Sequence, residues 1–209
     1  DFNGNCIKNG TFNFTTSAAA AATAAAATTT SGASGGAGGA VSNEVASAAR
    51  RWDSLESGSS AVLAVNNENI AVTGVVVDVA NTVTNAEVKV ASLTSNPLTT
   101  GAGGKVYQYL QLTKANIADS DASKITINFR VLKSWLTSNS VAETSIVLYR
   151  YSGGAWNALA TSKTGDDANN VLYQSTTPGF STFAIGTTEA PPAAPTPEVP
   201  AVLPPEAPV

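Results

Sequence analysis

The chain has 209 residues and contains no histidine, no methionine and a single cysteine, Cys6. These counts exclude a Ser-His-Asp or Cys-His catalytic arrangement, a histidine-ligated metal site and an intrachain disulfide framework. Charged residues make up 12% of the chain and the formal net charge is −4, so no basic surface for nucleic acid is predicted. The long uncharged run near the N-terminus lacks large apolar side chains, and we therefore expect no membrane-spanning segment.

Composition divides the chain into four segments. A polar and aromatic N-terminal segment precedes a connector of Ala, Thr, Ser and Gly, a segment of ordinary globular composition and a Pro-rich acidic tail. For the Ala-rich connector, a flexible linker and a packed segment both remain open. We place the four segments at residues 1–15, 16–50, 51–187 and 188–209. The chain begins with Asp1 rather than Met, as expected either of a processed secreted protein or of a segment excised from a longer chain.

Apolar and polar residues alternate along much of the third segment, which is the period of a half-buried β-strand. Turn residues separate these short alternating runs, and this spacing predicts an all-β fold, an antiparallel β-sandwich of the immunoglobulin-like type. The runs lie within residues 75–79, 88–90, 106–112, 125–131, 146–151, 156–159 and 180–185.

Two short helices and one tight turn interrupt this pattern. The alternation stops at Lys133–Ser138, where we predict a helix, and we place a second helix near Thr113–Ala118. The pair Gly153-Gly154 predicts the turn between two neighbouring strands.

Several separated motifs follow one another in the third segment: NIAVTGVVVDVANTV, NPLTTGAGGKVYQYLQLTKANI, ITINFRV, FRVLKSWL, SIVLYRYSGGAWNALAT and TPGFSTFAIG. In combination they resemble the PGF-pre-PGF domain of archaeal cell-surface and secreted proteins, over residues 52–187. The resemblance implies a β-sandwich module on an extracellular archaeal surface protein. It brings no catalytic residues, so we expect no enzymatic activity and no cofactor.

Large aromatic residues recur in these motifs, and we predict that they anchor the sandwich core. The alternative interpretation is an aromatic surface that binds a ligand such as a sugar. The residues are Trp135, Tyr149, Tyr151, Trp156, Phe180 and Phe183.

The N-terminal segment carries two sequons for N-linked glycans, so Asn9 and Asn13 are candidate glycosylation sites. Glycans would hydrate a surface that has few charges. The same segment alternates along Thr11, Phe12, Asn13, Phe14 and Thr15 and is predicted to be strand-like.

This short strand-like segment precedes a connector of about 25 residues, which spans about 80 Å when extended. One copy of the chain could therefore add residues 11–15 as a strand to the sheet of the next copy. Such head-to-tail addition does not close and gives a fibre. The alternatives are an unstructured leader or the remnant of an earlier domain.

Paired acids occur at Asp119 with Asp121 and at Asp166 with Asp167, within predicted turns. Acidic residues commonly cap turns and helices, and we favour this role over a calcium site or a glycoside-hydrolysing carboxylate pair. No metal site is therefore predicted. For Cys6, a bond between chains and a small buried side chain both remain open.

Two hypotheses for function follow. The first is a structural subunit of an archaeal extracellular surface assembly, a fibre, pilus-like filament or coat, which is a homo-polymer and can carry covalent glycans. The second is a monomeric adhesion or binding module on a Pro-rich stalk. Electron microscopy of native material separates the two, because only the first predicts regular fibres or sheets.

Overall fold

The computed structural model describes residues 43–188. Within this range the chain forms eleven strands and one α-helix, α1, at Lys133–Ser138, with 3-10 turns at Asp119–Asp121 and Glu143–Ser145. The strands are β1 (Glu44–Leu55), β2 (Ser60–Ala64), β3 (Val72–Val79), β4 (Val83–Leu93), β5 (Val106–Ala115), β6 (Ala122–Leu132), β7 (Ile146–Ser152), β8 (Ala155–Leu159), β9 (Thr161–Asp166), β10 (Asn170–Thr177) and β11 (Ser181–Thr187).

The strands form two antiparallel sheets. The six-stranded sheet has the order β1-β4-β5-β11-β7-β8, and the five-stranded sheet has the order β2-β3-β6-β10-β9. Every strand pair is antiparallel. Buried residues of both sheets belong to one hydrophobic core, so the predicted all-β antiparallel sandwich is confirmed.

The alternating runs supply the core. Apolar residues at every second position of β3 and β6 point between the sheets and are at most 2% exposed. Burying one side chain of this size contributes about 1.5–3 kcal/mol relative to leaving it in water. These residues are Val75, Val77, Val79, Ile125, Ile127, Phe129 and Val131.

The predicted glycine turn joins β7 to β8. Gly153 and Gly154 have φ angles of 61° and 82°, and a two-residue hairpin loop of this kind needs positive φ at both positions. Residues with a side chain adopt these angles only with strain, which explains the Gly-Gly pair.

Helix α1 has the bounds predicted from the sequence and covers one end of the core. Leu136 is buried in that core, and Trp135 packs edge-on against Tyr107 with ring centroids 5.1 Å apart. The helix ends at Ser138, Ser140 then turns the chain with a φ of 52°, and the N–H of Val141 donates to the carbonyl of Leu136.

Two sequence predictions need correction or adjustment. The second helix near Thr113–Ala118 is wrong: β5 continues to Ala115, because its backbone pairs with β4, and Asn116 with φ of 57° then turns the chain. Residues 44–50 were expected to end the connector, but they form the first part of β1.

Within residues 43–188, no helix is long and apolar enough to cross a membrane.

Candidate functional site

The candidate residues of the N-terminal segment, Asn9, Asn13 and the strand-like run Thr11 to Thr15, lie outside the described residues, as does Cys6. The structure does describe the sandwich to which such a strand would add. A strand can add only where backbone N–H and C=O groups are unpaired, at the edge of a sheet. The four edge strands are therefore the places to examine.

The strands β1 and β8 are the edges of the six-stranded sheet, and β2 and β9 are the edges of the five-stranded sheet. Strand β1 contacts β2, while β8 and β9 follow each other in the chain and contact strands of the opposite sheets. We call these two flanks of the sandwich the β1/β2 side and the β8/β9 side.

The β8/β9 side is closed by hydrogen bonds between the sheets. Ser175 Oγ, on β10, donates to the carbonyl of Ala160 at 2.9 Å. Thr161 Oγ1 accepts a hydrogen bond from the N–H of Leu148, on β7, at 3.0 Å. Strand β8 has only five residues, and short or charged edge strands resist pairing with another chain.

Charge protects β9 as well. Lys163 forms ion pairs with Glu143 and Asp166 at 2.7 and 3.5 Å. A strand that added here would have to displace or bury these charges, which is unfavourable.

On the β1/β2 side, one arginine contacts the short edge strand β2. Arg50 Nη1 donates to the carbonyl of Val62 at 2.8 Å. The guanidinium also lies over the ring of Trp52, 5.2 Å from its centroid. Arg50 thereby links the six-stranded sheet to the edge of the five-stranded sheet and occupies an edge acceptor.

Strand β1 is different, because it is a twelve-residue edge. Its later part carries Arg50, Arg51 and Asp53, whereas residues 45–49 are uncharged. Val45 is 53% exposed and is one of three exposed large apolar residues among residues 43–188. A long, uncharged and partly apolar free edge is the kind that pairs with another strand. We call residues 45–49 the free edge of β1.

The start of β1 is fixed to its neighbour by charge. Lys89, on β4, forms an ion pair with Glu44 at 2.8 Å. Partial burial acts to raise the pKa of Glu44, but hydrogen bonds from Lys89 and Ser47 and the charge of Lys89 lower it overall. The backbone has a bulge between Glu44 and Ala46. The free edge therefore begins at an ordered position.

One acid of each predicted pair caps a turn. Asp121 accepts a hydrogen bond from the N–H of Ala118 at 3.1 Å. Asp167 accepts two from the N–H groups of Asn169 and Asn170, at 2.8 and 2.7 Å. Within the described range 43–188, no three His, Cys, Asp or Glu residues are grouped so that they could hold a metal ion.

The other member of each pair is held by a lysine. A hydrogen bond and the charge of Lys114 lower the pKa of Asp119, and those of Lys133 lower the pKa of Asp166. A general acid for glycoside hydrolysis needs a raised pKa instead. Neither carboxyl group is thus prepared for that role.

The aromatic residues divide between two places. Phe183 is buried in the core, and Trp135 and Phe180 pack against its margin. Tyr149 is also buried, but with Val147 it belongs to a second hydrophobic cluster, against which Trp156 packs. Alternate residues of β7 point to opposite faces of the sheet, so Val147 and Tyr149 point away from the core that Ile146 and Leu148 enter.

Tyr151 shares this outer cluster, because its ring meets that of Trp156 edge-on at 5.4 Å. The cluster also holds the long loop between β4 and β5. Trp156 Nε1 donates to the carbonyl of Thr100 at 2.8 Å. The aromatic residues of the outer face therefore fix a loop to the sheet.

Comparison of the chain with models of protein families and with curated proteins finds no match.

Proposed function

We propose that the chain is a structural subunit of an archaeal extracellular surface assembly, a fibre, pilus-like filament or coat. Residues 11–15 of one copy add as a strand to the free edge of β1 in the next copy. The observation that carries this proposal is the uncharged, partly apolar half of a twelve-residue edge strand. The resemblance to the PGF-pre-PGF domain supports the archaeal surface as its location.

The proposed added strand and the free edge of β1 match in charge and in length. Residues 11–15 and the free edge of β1 are both uncharged, and each is five residues long. Backbone hydrogen bonds would supply the affinity of such a pairing, and alternate side chains would supply its register. In an added strand, Asn13 would point to the face opposite Phe12 and Phe14, which leaves room for a glycan on that asparagine.

We expect the subunit to fold without an added strand. Core residues of both sheets are buried, with Phe129, Leu148 and Ile185 at most 1% exposed. Strand addition therefore extends a complete sheet. We expect a folded monomer that assembles afterwards, with a head-to-tail contact that continues into a fibre.

The substitution Val45→Lys tests this proposal in the full chain. A lysine at the free edge of β1 places a charge where the added strand must dock, and edge lysines are a common protection against pairing. Electron microscopy and sedimentation are expected to show regular fibres for the unmodified chain and dispersed monomers for the variant. Gln111→Lys is the matched control, because Gln111 is exposed on the interior strand β5.

Deleting residues 1–40 completes the experiment and is expected to give a folded monomer that does not assemble. Fibres formed by the deleted chain would contradict the role of the N-terminal segment. Fibres formed equally by Val45→Lys would contradict the choice of β1. Dispersed particles of the unmodified chain would instead support the monomeric adhesion module on a Pro-rich stalk.

A further inference from the structure

A groove with a volume of about 700 Å³ lies at one end of the sandwich. There the loop between β2 and β3 (residues 65–71) faces the loop between β9 and β10 (residues 167–169). Small-molecule sites have volumes of this order and combine apolar walls with a few fixed polar groups. We call it the loop-end groove, and its main lining residues are Glu68, Asn69, Tyr107, Arg130, Leu132 and Asn169.

The loop at residues 65–71 forms the first wall of the groove and is held by hydrogen bonds to two interior strands. Gln108, on β5, accepts from the N–H of Ala71 at 2.7 Å and donates to the carbonyl of Asn69 at 2.9 Å. Arg130, on β6, donates its N–H to the carbonyl of Ala71 and its Nη2 to that of Asn67. The backbone of this loop is thus held at several points.

The loop at residues 167–169 forms the second wall and is also held by hydrogen bonds. Lys133 donates its N–H to the carbonyl of Asn169 at 2.8 Å and its Nζ to that of Asp167 at 2.6 Å. The carboxylate of Asp167 accepts the N–H groups of Asn169 and Asn170. The backbone of both walls is therefore held in place before any ligand arrives, which lowers the entropic cost of binding.

The side chains at the tips of these loops are exposed and unused. Within residues 43–188, those of Glu68, Asn69 and Asn169 make no hydrogen bond. Together they offer amide donors, amide acceptors and a carboxylate. Between them lie the ring of Tyr107 and the side chain of Leu132, which is 41% exposed.

Charge in the groove is balanced. Arg130 and Glu68 carry opposite charges, and the Nζ of Lys133 is paired with Asp166 at 2.7 Å. The groove therefore has no net preference for an anion or a cation. A neutral ligand that both donates and accepts hydrogen bonds and has an apolar face fits this lining.

We propose that the loop-end groove binds a neutral oligosaccharide. Its hydroxyl groups would bond to Asn69, Asn169 and Glu68, and its apolar ring face would lie on Tyr107 and Leu132. An extended peptide fits less well, because the lining strands β5 and β6 are interior strands without free backbone groups. The groove is separate from the free edge of β1, and the proposal applies equally to a monomer and to an assembly.

The test is calorimetric titration of the full chain with neutral oligosaccharides of glucose, mannose, galactose and N-acetylglucosamine. At least one is expected to bind, and the double variant Asn69→Ala/Asn169→Ala is expected to weaken it by about tenfold or more, because two hydrogen-bonding amides are lost. Gln111→Ala, which removes an exposed amide on another face, is the matched control and should leave binding unchanged.

Absence of binding by every oligosaccharide at millimolar concentration would overturn the proposal. So would binding that the double variant retains in full, because the site would then lie elsewhere. A peptide with the sequence of residues 11–15 is the second probe. If it binds in place of the oligosaccharides and the double variant abolishes that binding, the groove is a peptide site and the proposal is wrong.

Discussion

On the β8/β9 side, the chain passes from one sheet to the other through a single residue, Ala160, whereas on the β1/β2 side it passes through residues 56–59. The first side is short, charged and tied by side-chain hydrogen bonds. The second depends on Arg50 and leaves residues 45–49 of β1 uncharged and without a second neighbouring strand. Two edges of one sandwich are thus protected to different degrees.

This difference indicates where copies of the chain can join. Protection of an edge has no role in filling the core, since both sides enclose the same buried residues. Its physical effect is on association, because unpaired backbone groups next to uncharged side chains accept another strand. The two sides should therefore respond to different perturbations.

Alkaline pH is expected to have the largest effect, through Tyr173 on β10, the strand that pairs with β9. Burial, together with the charge of Glu143, raises the pKa of Tyr173 to about 12, and its hydroxyl donates to the carbonyl of Glu143 at 2.9 Å. The pKa of Tyr173 is higher in the folded chain than in the unfolded chain. Its contribution to stability is therefore complete below the unfolded-state pKa and is lost as the pH rises to the folded-state pKa. Between about pH 10 and about pH 12 the free energy of unfolding should fall by about 2–3 kcal/mol.

Urea unfolding over this pH range measures the effect, with Tyr173→Phe as the control. Burial also raises the pKa of Tyr107 and Tyr109, so part of the alkaline loss will remain in the variant. The difference between the two chains isolates Tyr173. Equal losses in both would show that ionisation of Tyr173 does not cause the alkaline loss of stability.

Arg50→Met is expected to open the β1/β2 side. The methionine keeps apolar contact with Trp52 but removes the hydrogen bond to Val62 and the cation–π contact, at a cost of about 1–2 kcal/mol of unfolding free energy. The buried Nε of Arg50 has no hydrogen-bond partner among residues 43–188. Because the substitution also removes this unpaired group, we expect a loss near the lower end of that range. Amide hydrogen exchange in β2 should become faster.

The neighbouring substitution Arg51→Met is a matched control. Arg51 pairs with Glu87 at 2.6 Å, but its side chain is 69% exposed, and exposed ion pairs contribute about 0–1 kcal/mol. A larger loss for Arg51→Met than for Arg50→Met would show that Arg50 does not hold the two edges together.

The sequence predicts the interior of this fold better than its edges. Runs such as residues 125–131 alternate clearly, because their inward side chains are large and apolar. The inward positions of β1 include Ala48 and Arg50, and β9 reads Thr-Ser-Lys-Thr-Gly-Asp, so neither edge has a strong alternating signal. Strand order adds a further limit, since it depends on contacts between residues far apart in the chain.

Dependence on contacts between distant residues also limits how much of the candidate sites the sequence predicts. The strand-like run at residues 11–15 can be read from local alternation. Its proposed acceptor cannot, because an edge exists only once the neighbours of β1 are known. The loop-end groove also remains hidden in the sequence, since Asn69 and Asn169 are brought together by hydrogen bonds from β5, β6 and α1.

The smallest expected effect concerns one hydroxyl on the β8/β9 side. Ser175 is 2% exposed and donates to the carbonyl of Ala160, so Ser175→Ala leaves that carbonyl without this partner and should cost about 1 kcal/mol. Ser162→Ala on exposed β9 should change the unfolding free energy by about 0.5 kcal/mol or less. Thermal unfolding can separate the two values. If Ser175→Ala restored fibres in a chain that also carries Val45→Lys, opening the β8/β9 side would be sufficient for association, and protection of that edge would explain why the proposed addition uses β1 alone.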